Sequence, residues 1–472
     1  MAFASIHFIF LFLPVMLLAY FIIPKRGWKN LVLVLGSLGF FAWADLRHLP
    51  LLLLSLLINY LSGLLIQHAN DHETPKRAKA LMVIALLLNL LILAFYKYFG
   101  FLGGIVQSVL PIEVSFPERA LPLGISYLTF SALSYILDVH RGTEKAEKNV
   151  LNFTAYLVMF PKLIQGPITR YKDVKPGLLE LRVNLTDVSL GIRRFIIGLA
   201  KKVLIADSLA IAANKVFAAD PSTIGAGVAW FGLIAYALTV FFDFSGYTDM
   251  ALGLGGMLGF KLPENFNYPY ISQSITEFWR RWHMSLTAWF RTYLFIPLEF
   301  KRRKVKFLRQ PTNILLVFLL TGLWHGAGWN FLFWGGYFGL LLALEANGLE
   351  KLLKKIPRVF RHLYTLLLVL LGWVFFRLTN LQNWGGFLGA LFGRQGWTAL
   401  ETMRSLNILF YIPIAVIAIL LCLPILEWVK KVQPARPFLW NSALDLVHIG
   451  IFALCVAYIL ANGFQAFMYA QF

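Results

Sequence analysis

Long apolar runs, separated by short polar or basic stretches, recur from one end of this chain to the other. A run of roughly 20 apolar residues lets a helix cross a bilayer. Such runs lie at about 5–23, 48–68, 80–108, 189–214, 225–243, 361–377, 404–426 and 443–464, and shorter or interrupted runs lie at 30–44, 121–137, 150–166, 248–260, 312–324 and 329–346. The pattern predicts an all-α polytopic membrane protein with roughly 11 or more membrane-embedded helices. We expect residues 1–472 to form one such domain, with no separate soluble part.

The composition agrees with this prediction. Of the 472 residues, 59% are hydrophobic and 14% are charged, against a charged fraction of roughly a quarter in soluble domains. The formal net charge of +20 could suggest nucleic-acid binding, but the basic residues sit in short loops between apolar runs, as the positive-inside bias predicts. We therefore expect a lipid membrane as the surroundings and no nucleic acid as a partner.

The basic loops also predict a topology. The clusters that should be cytoplasmic lie at 25–29, 76–79, 141–148, 301–309, 351–361 and 430–431, because Lys and Arg favour that side. The first apolar run has no basic residue ahead of it and no small-residue cleavage site behind it, so we expect a retained helix. Both termini should then lie outside. Prolines between 150 and 300 predict broken or re-entrant helices there, which lipid tolerates only where protein or a water-filled cavity covers the freed backbone.

One histidine lies inside an apolar hairpin, in the stretch TGLWHGAGWNFLFWGGY (321–337). The segment 312–324 leaves a basic cluster and climbs roughly 20 Å at 1.5 Å per residue, past the middle of the hydrocarbon core. The segment 329–346 returns to the next basic cluster. His325 should therefore lie within the membrane at the top of the hairpin, where Gly326 and Gly328 permit a sharp turn.

Ionisable residues are concentrated in two neighbouring stretches, 241–270 and 274–298, and such residues within a membrane are functional candidates by default. The first carries Asp243, Ser245, Tyr247, Asp249, Glu264 and Asn265, and the second carries Glu277, Arg280, Arg281, His283 and Arg291. Aromatic spacing in the second stretch predicts one strongly amphipathic helix. It could be an interfacial helix with snorkelling arginines, in which His283 has no chemical role. His325 could likewise be a hydrogen-bonded core histidine.

Both histidines, however, are flanked by tryptophans and follow broken apolar segments, which favours a chemical role. An imidazole kept neutral by its apolar surroundings can take a proton near neutral pH. As a general base it could carry acyl transfer from a thioester to a hydroxyl without a nucleophilic serine or cysteine.

Signatures of other enzyme classes are missing from the sequence. It has no G-x-S-x-G, no P-loop and no H-E-x-x-H. The glycine-rich GLGGMLG at 253–259 follows no strand, so small-residue helix packing explains it better than a dinucleotide site. Cys422 and Cys455 lie inside apolar segments, where an inert buried thiol is the usual state.

Several long motifs in this chain resemble the membrane-bound O-acyltransferase superfamily, in the bacterial branch of alginate O-acetyltransferase membrane subunits and teichoic acid D-alanyl transferases. The motifs are LPLGISYLTFSALSYILDVHRG from 121, MFPKLIQGPITRY from 159, FFDFSGYTDMALGLGGMLGFKLPENFNYPY from 241, FWRRWHMSLTAWFRTYLFIPL from 278, LTGLWHGAGWNFLFWGGY from 320, GWVFFR from 372 and FMYAQF from 467. The resemblance implies a ring of tilted helices around a central funnel or tunnel in a bacterial cytoplasmic membrane. It makes His325 the catalytic residue and His283 the second functional histidine.

Two departures from the family pattern limit what can be carried over. Members often have Arg-Asp-Tyr and Ile-Pro-Leu-Gly-Gly where this chain has Thr292 in RTY and Leu298 and Glu299 in IPLEF. An ion pair that depends on that aspartate is in doubt here. The basic loop KRRKVKFLR that follows could dock an anionic donor, although ordinary positive-inside charge explains it as well.

The leading hypothesis is O-acetyl transfer across the membrane to an extracytoplasmic polysaccharide or to a partner acetyltransferase there. His325 is the base and His283 the helper, and the expected pocket or supporting residues are Asp243, Tyr247, Asn265, Arg280, Gln165 and Trp324. The donor would be acetyl-CoA or another acyl thioester, with no bound cofactor or metal, and an acyl carrier protein is a possible partner. D-alanyl transfer to teichoic acid from a carrier-bound thioester is one alternative, and a transporter that uses the same broken helices is another.

Overall fold

Helices make up the architecture, and no β-strand occurs among the residues that the structure, a computed structural model, describes. Those residues are 2–110, 120–180, 183–305, 307–397, 400–425, 437–463, 465 and 467. The all-α class is therefore confirmed for the described part of the chain. The basic pair 430–431 and residues 468–472 of the FMYAQF motif lie outside the described residues.

The chain divides into two compact units. The first comprises residues 1–197 and 247–264, and the second comprises 198–246 and 265–470. The chain passes between the units within two helices, at 197–198 and at 246–247, and again at 264–265. That the whole chain forms one membrane domain remains a prediction.

The first unit contains the N-terminal helices. They are α1 (Leu13–Ile22), α2 (Arg26–Asp45), α3 (Leu49–Asp71), α4 (Pro75–Lys97), α5 (Phe99–Val109), α6 (Ile125–His140), α7 (Val150–Val158), α8 (Phe160–Leu163), α9 (Tyr171–Glu180) and most of α10 (Leu185–Ala200). A π-helical turn (Phe8–Phe12) precedes α1, and a 3₁₀ turn (Leu46–His48) joins α2 to α3.

The second unit begins with a π-helical segment, Lys201–Ala206, and α11 (Asp207–Ala218). It continues with α12 (Ala226–Met257), whose last part belongs to the first unit, α13 (Ile275–Arg281), α14 (Met284–Phe290), α15 (Ile296–Lys301), α16 (Arg309–His325), α17 (Trp329–Leu344), α18 (Glu350–Leu353), α19 (Arg358–Arg377), α20 (Leu381–Leu391), α21 (Leu400–Ser405), α22 (Ile412–Leu421) and α23 (Pro437–Asn462). Cys422 and Cys455 are buried free thiols, as predicted.

Five helical stretches in the described part of the chain are long and apolar enough to cross a membrane. They are Arg26–Asp71, Pro75–Lys97, Ala226–Met257, Arg358–Arg377 and Trp440–Asn462. Shorter apolar helices cover Phe8–Ile22, Phe99–Val109 and Leu409–Leu421. A membrane protein with several apolar helices is thus supported, while the expected number of spans and their arrangement in a ring remain predictions.

The expected helix breaks are present between 150 and 300, but not everywhere that the sequence placed them. The run at 150–166 breaks at Met159, just before α8, whose second residue is Pro161. The runs at 225–243 and 248–260, in contrast, belong to one helix, α12, which continues to Met257. A polar residue such as Asp243 ends an apolar run without ending a helix, because its carboxylate bonds a lysine instead of competing for the backbone.

The prediction of a single amphipathic helix at 274–298 is wrong. The chain breaks after Arg281, with Trp282 extended and His283 in the left-handed region at φ 45°. Its aromatic side chains Phe278, Trp282, Trp289 and Phe290 are buried rather than spread along an interface. The regular aromatic spacing therefore reflects two short helices packed within the protein.

Helices α16 and α17 form the predicted antiparallel hairpin with His325 at its turn. Gly322 on α16 lies against the Phe331 backbone of α17, and Gly335 on α17 lies against Phe318. The turn does not use the conformational freedom expected of its glycines, because Gly326 and Gly328 are both extended (φ −174° and −165°). Gly326 is required by space instead, since a Cβ there would meet the Phe331 ring at 2.1 Å.

Small-residue packing explains the glycine-rich end of α12, as predicted. A Cβ on Gly253 would lie 2.6 Å from the Gly191 carbonyl oxygen, and one on Gly191 would lie 2.6 Å from the Gly253 carbonyl oxygen. The two helices therefore approach backbone to backbone within the first unit.

The hairpin offers a matched pair of glycine substitutions. In Gly335→Ala the new methyl group would lie 2.4 Å from the Phe318 carbonyl oxygen, whereas in Gly336→Ala it would lie 3.6 Å from Leu319 Cδ2, an ordinary contact. We expect Gly335→Ala to lower stability by about 1–3 kcal/mol through overpacking. Gly336→Ala should be neutral or stabilising, because alanine favours a helix by about 1 kcal/mol over glycine. Thermal unfolding in detergent measures both, and equal melting temperatures would contradict the close contact.

Candidate active site

His283 lies at the break between α13 and α14, in a backbone conformation that non-glycine residues seldom adopt. Such strain costs roughly 1–3 kcal/mol and persists where the surroundings impose it. Here the segment around Asn265 imposes it: Asn267 N–H donates to the Arg281 carbonyl oxygen at 2.9 Å, and Met284 N–H donates to the Asn265 carbonyl oxygen at 2.9 Å. The loop after α12 thus fixes the start of α14 and the position of the histidine.

The His283 ring is buried, with 1% of the residue exposed. Its Nδ1 lies 3.1 Å from Asn265 Oδ1. The Phe244 ring meets it edge-on at 4.7 Å between centroids, and the Trp324 indole lies 5.8 Å away. Two residues expected to support the site, Asn265 and Trp324, therefore do contact this histidine.

His325 ends α16 and is surrounded by aromatic rings. The centroid of its ring lies 4.8 Å from that of Trp324, 4.9 Å from that of Trp334 and 5.3 Å from that of Phe376. These rings come from α16, α17 and α19, and His325 is only 3% exposed. Since the Trp324 indole packs against both imidazoles, the structure places the two predicted histidines beside one shared side chain.

Asp243 belongs to a buried ionic cluster in the second unit. Lys202 Nζ lies 2.7 Å from Asp243 Oδ1 and 2.7 Å from Asp207 Oδ1, and the Phe467 ring packs over the same ammonium at 4.5 Å. The sequence reasoning missed Lys202 and Asp207. Both fall inside the apolar run 189–214, so the rule that flagged Asp243 would have found them.

The remaining predicted site residues are placed differently. Gln165 and Tyr247 pack within the first unit, where Tyr247 stacks on Phe3 at 4.8 Å. Gln165 is 1% exposed, and both polar atoms of its side chain lack a hydrogen-bond partner among the described residues. Arg280 is exposed on α13. The sequence reasoning missed Phe244, Trp334 and Phe376, whose wall-forming role only the fold reveals.

Glu299, one of the two departures from the family pattern, has partners of its own. Its carboxylate pairs with Arg309 Nε at 2.9 Å and accepts a hydrogen bond from Asn313 Nδ2 at 2.6 Å. Arg302 bonds Asn313 as well. Two arginines of the basic loop are therefore held by the chain, whereas Lys301, Arg303 and Lys304 are exposed.

Nothing in the described ranges groups three or more His, Cys, Asp or Glu side chains closely enough to hold a metal ion. The chemistry available at the described site is that of two buried imidazoles, a carboxamide and aromatic walls. Such a site can move a proton and exclude water.

Substitutions in the ionic cluster of Lys202, Asp207 and Asp243 should lower the stability of the protein by different amounts. Lys202→Met leaves the Asp207 and Asp243 carboxylates buried without their shared ammonium, and breaking a buried ion pair costs about 3–5 kcal/mol. Asp207→Asn keeps the Lys202–Asp243 pair and should cost less. Thermal unfolding of the purified variants in detergent compares them, and the expectation is wrong if Lys202→Met is no less stable than Asp207→Asn.

Comparison with known proteins identifies the family. The model of the membrane-bound O-acyltransferase family (MBOAT) matches residues 123–383, which include His283 and His325. The chain is 41% identical to the probable alginate O-acetylase AlgI of Azotobacter vinelandii over 86% of this chain and 81% of that protein.

Two further relatives differ in the activities that they are named for. The peptidoglycan O-acetyltransferase of Helicobacter pylori is 35% identical over 82% of this chain and 79% of that protein. The teichoic acid D-alanyltransferase of Bacillus subtilis is 33% identical over 54% of this chain and 70% of that protein. This chain therefore belongs to the membrane-bound O-acyltransferase family and is an O-acyltransferase of its alginate O-acetylase and D-alanyltransferase branch.

Proposed function

We propose that this O-acyltransferase moves an acetyl group from a cytoplasmic thioester to a polysaccharide, or to a partner acetyltransferase, on the outer side of the bacterial cytoplasmic membrane. The observation that carries the proposal is the position of His325, buried among three aromatic rings at the end of a helix that starts in the basic loop 301–309. The proposed donor is acetyl-CoA or another acetyl thioester.

The length of α16 supports transfer across the membrane. Its 17 residues span roughly 25 Å at 1.5 Å per residue, against a hydrocarbon core about 30 Å thick. With the basic loop at the cytoplasmic face, His325 lies toward the outer side of the core. A thioester entering from the cytoplasm and a hydroxyl entering from outside would then meet near this residue, in the funnel that the family resemblance implies.

The proposed chemistry needs one base and a dry site. The neutral His325 imidazole takes the proton of the acceptor hydroxyl while the hydroxyl oxygen attacks the carbonyl carbon of the thioester. The tetrahedral intermediate then collapses, the carbon–sulfur bond breaks, and the imidazolium returns the proton to the thiolate. Ester and thiol are the products, and no proton is gained or lost overall. Packing against Trp324, Trp334 and Phe376 excludes water from the His325 ring.

The share of this chain that each relative covers favours an acetyl group over a D-alanyl group as the group transferred. The relatives named for acetyl transfer match 82–86% of this chain, and the teichoic acid D-alanyltransferase matches 54%. The relatives reported above are named for acyl transfer and not for transport.

His325→Ala should abolish acetylation, because loss of a general base typically costs 10²- to 10⁴-fold. The measurement is transfer of labelled acetyl from acetyl-CoA to polymer in membranes, with protein abundance checked by immunoblot. His448→Ala is the matched control, since among the described residues its ring bonds only the Leu444 carbonyl of its own helix, at 2.6 Å. Full acetylation by an abundant His325→Ala protein would remove the base from the scheme.

The donor can be tested with purified protein in detergent and no gradient. We expect acetyl-CoA to be consumed, with release of free CoA that depends on acceptor and on His325. A carrier protein loaded with D-alanine should stay loaded under the same conditions. Consumption of the D-alanyl carrier without consumption of acetyl-CoA would assign the D-alanyl reaction instead.

A further inference from the structure

The hydrogen bonds around the Asn265 carboxamide determine which nitrogen of His283 carries the proton. Asn265 Oδ1 lies 3.1 Å from the Ser285 backbone nitrogen, 2.9 Å from Ser285 Oγ and 3.1 Å from His283 Nδ1. Asn265 and His283 are each 1% exposed. Water therefore has little access to these bonds.

The Ser285 backbone fixes the orientation of the carboxamide. A backbone N–H can only donate, so the atom that faces it must be the oxygen of the side chain and not its nitrogen. An amide oxygen cannot donate, and so the hydrogen between it and His283 must sit on Nδ1. The neutral ring then carries its lone pair on Nε2.

That lone pair is available. His283 Nε2 is buried and has no hydrogen-bond partner among the residues described. The ring packs against Phe244 and Trp324, which hold it in place without accepting or donating at Nε2. A strained backbone and a buried, unsatisfied nitrogen in one residue are costly, and such costs cluster at functional sites.

We propose that Asn265 is a positioning residue that locks His283 in the Nδ1–H form, so that Nε2 acts only as a hydrogen-bond acceptor. The catalytic consequence rests on the proposed acyl transfer. In this form His283 cannot donate from Nε2 to the oxyanion of the tetrahedral intermediate. It accepts from a donor group of a substrate, such as a hydroxyl of the acyl acceptor, and orients that substrate toward His325.

A purely structural role would differ in one respect. Asn265 also caps α14, because its main-chain and side-chain oxygens receive the N–H groups of Met284 and Ser285. An aspartate would serve as this cap equally well. Only the positioning role depends on the charge placed beside Nδ1, so Asn265→Asp separates the two roles.

The protonated nitrogen can be observed directly by NMR. The full-length protein in detergent micelles is labelled with ¹⁵N in its histidine rings, and His283→Gln identifies the His283 signals by their absence. We expect a protonated Nδ1 and a bare Nε2 at neutral pH, and loss of that preference in Asn265→Ala. A proton on Nε2 in the unmodified protein, or unchanged His283 signals in Asn265→Ala, would overturn the proposal whatever the enzyme's activity.

Kinetics test the consequence. Asn265→Ala should lower kcat by about 10²-fold, the cost of a misplaced catalytic group. Asn265→Asp should keep kcat at alkaline pH, but its carboxylate favours the protonated imidazole, so the acidic limb of the activity profile should move to higher pH. The control is Asn89→Ala, which removes a buried carboxamide paired with Asn59 at 2.9 and 3.0 Å in the first unit.

The outcomes are separable. An unshifted profile in Asn265→Asp, or an Asn265→Ala protein no worse per folded molecule than Asn89→Ala, would leave Asn265 as a helix cap only. The expected NMR result in a protein that consumes neither thioester would instead contradict the proposed function and leave the assignment of the His283 proton standing.

Discussion

Polar side chains buried in an apolar helical protein must find their partners within the chain, and this requirement organises the second unit. Leaving such a group unpaired costs several kcal/mol where no water can replace the partner. Lys202 meets the requirement with two carboxylates, and the side-chain oxygen of Asn265 meets it by receiving hydrogen bonds from the start of α14. His283 meets it in part, because Nδ1 bonds Asn265 whereas Nε2 has no partner among the described residues.

The two histidines are held by different kinds of contact, which suits them to different roles. His325 is enclosed by aromatic rings from three helices, and these rings exclude water from the imidazole. His283 is held by a directed hydrogen bond and by a strained backbone, which define the orientation of its ring. A base needs the first kind of surroundings, and a residue that orients a substrate needs the second.

The sequence predicts the elements that depend on local pattern. Hydrophobic runs located most helices, and the basic clusters around the 312–346 segment together with the glycines predicted the hairpin that carries His325.

Prediction from local pattern failed where tertiary contacts determine the structure. The break at His283 is invisible to aromatic periodicity, because the hydrogen bonds that stabilise it come from Asn265 and Asn267, which lie 14 to 20 positions before their partners. Asp243, in the middle of α12, is paired with Lys202, 41 residues away, and no local pattern shows this partner. The contacts of Trp334 and Phe376 with His325 likewise require knowledge of which helices pack together.

The position of His325 depends more on backbone packing than on the charges near the start of α16. The Glu299–Arg309 pair is partly exposed, with 34% of the Arg309 side chain and 20% of the Glu299 side chain accessible, and such pairs contribute about 0–1 kcal/mol. The glycine contacts between α16 and α17 are a different matter, because any side chain at Gly322 would meet the Phe331 carbonyl oxygen at 2.2 Å and backbone cannot move aside as a flexible side chain can. The chain can therefore depart from its family's pattern at Glu299 and keep the hairpin. It could not give up Gly322 without displacing α17, and with it the Trp334 ring that encloses the histidine.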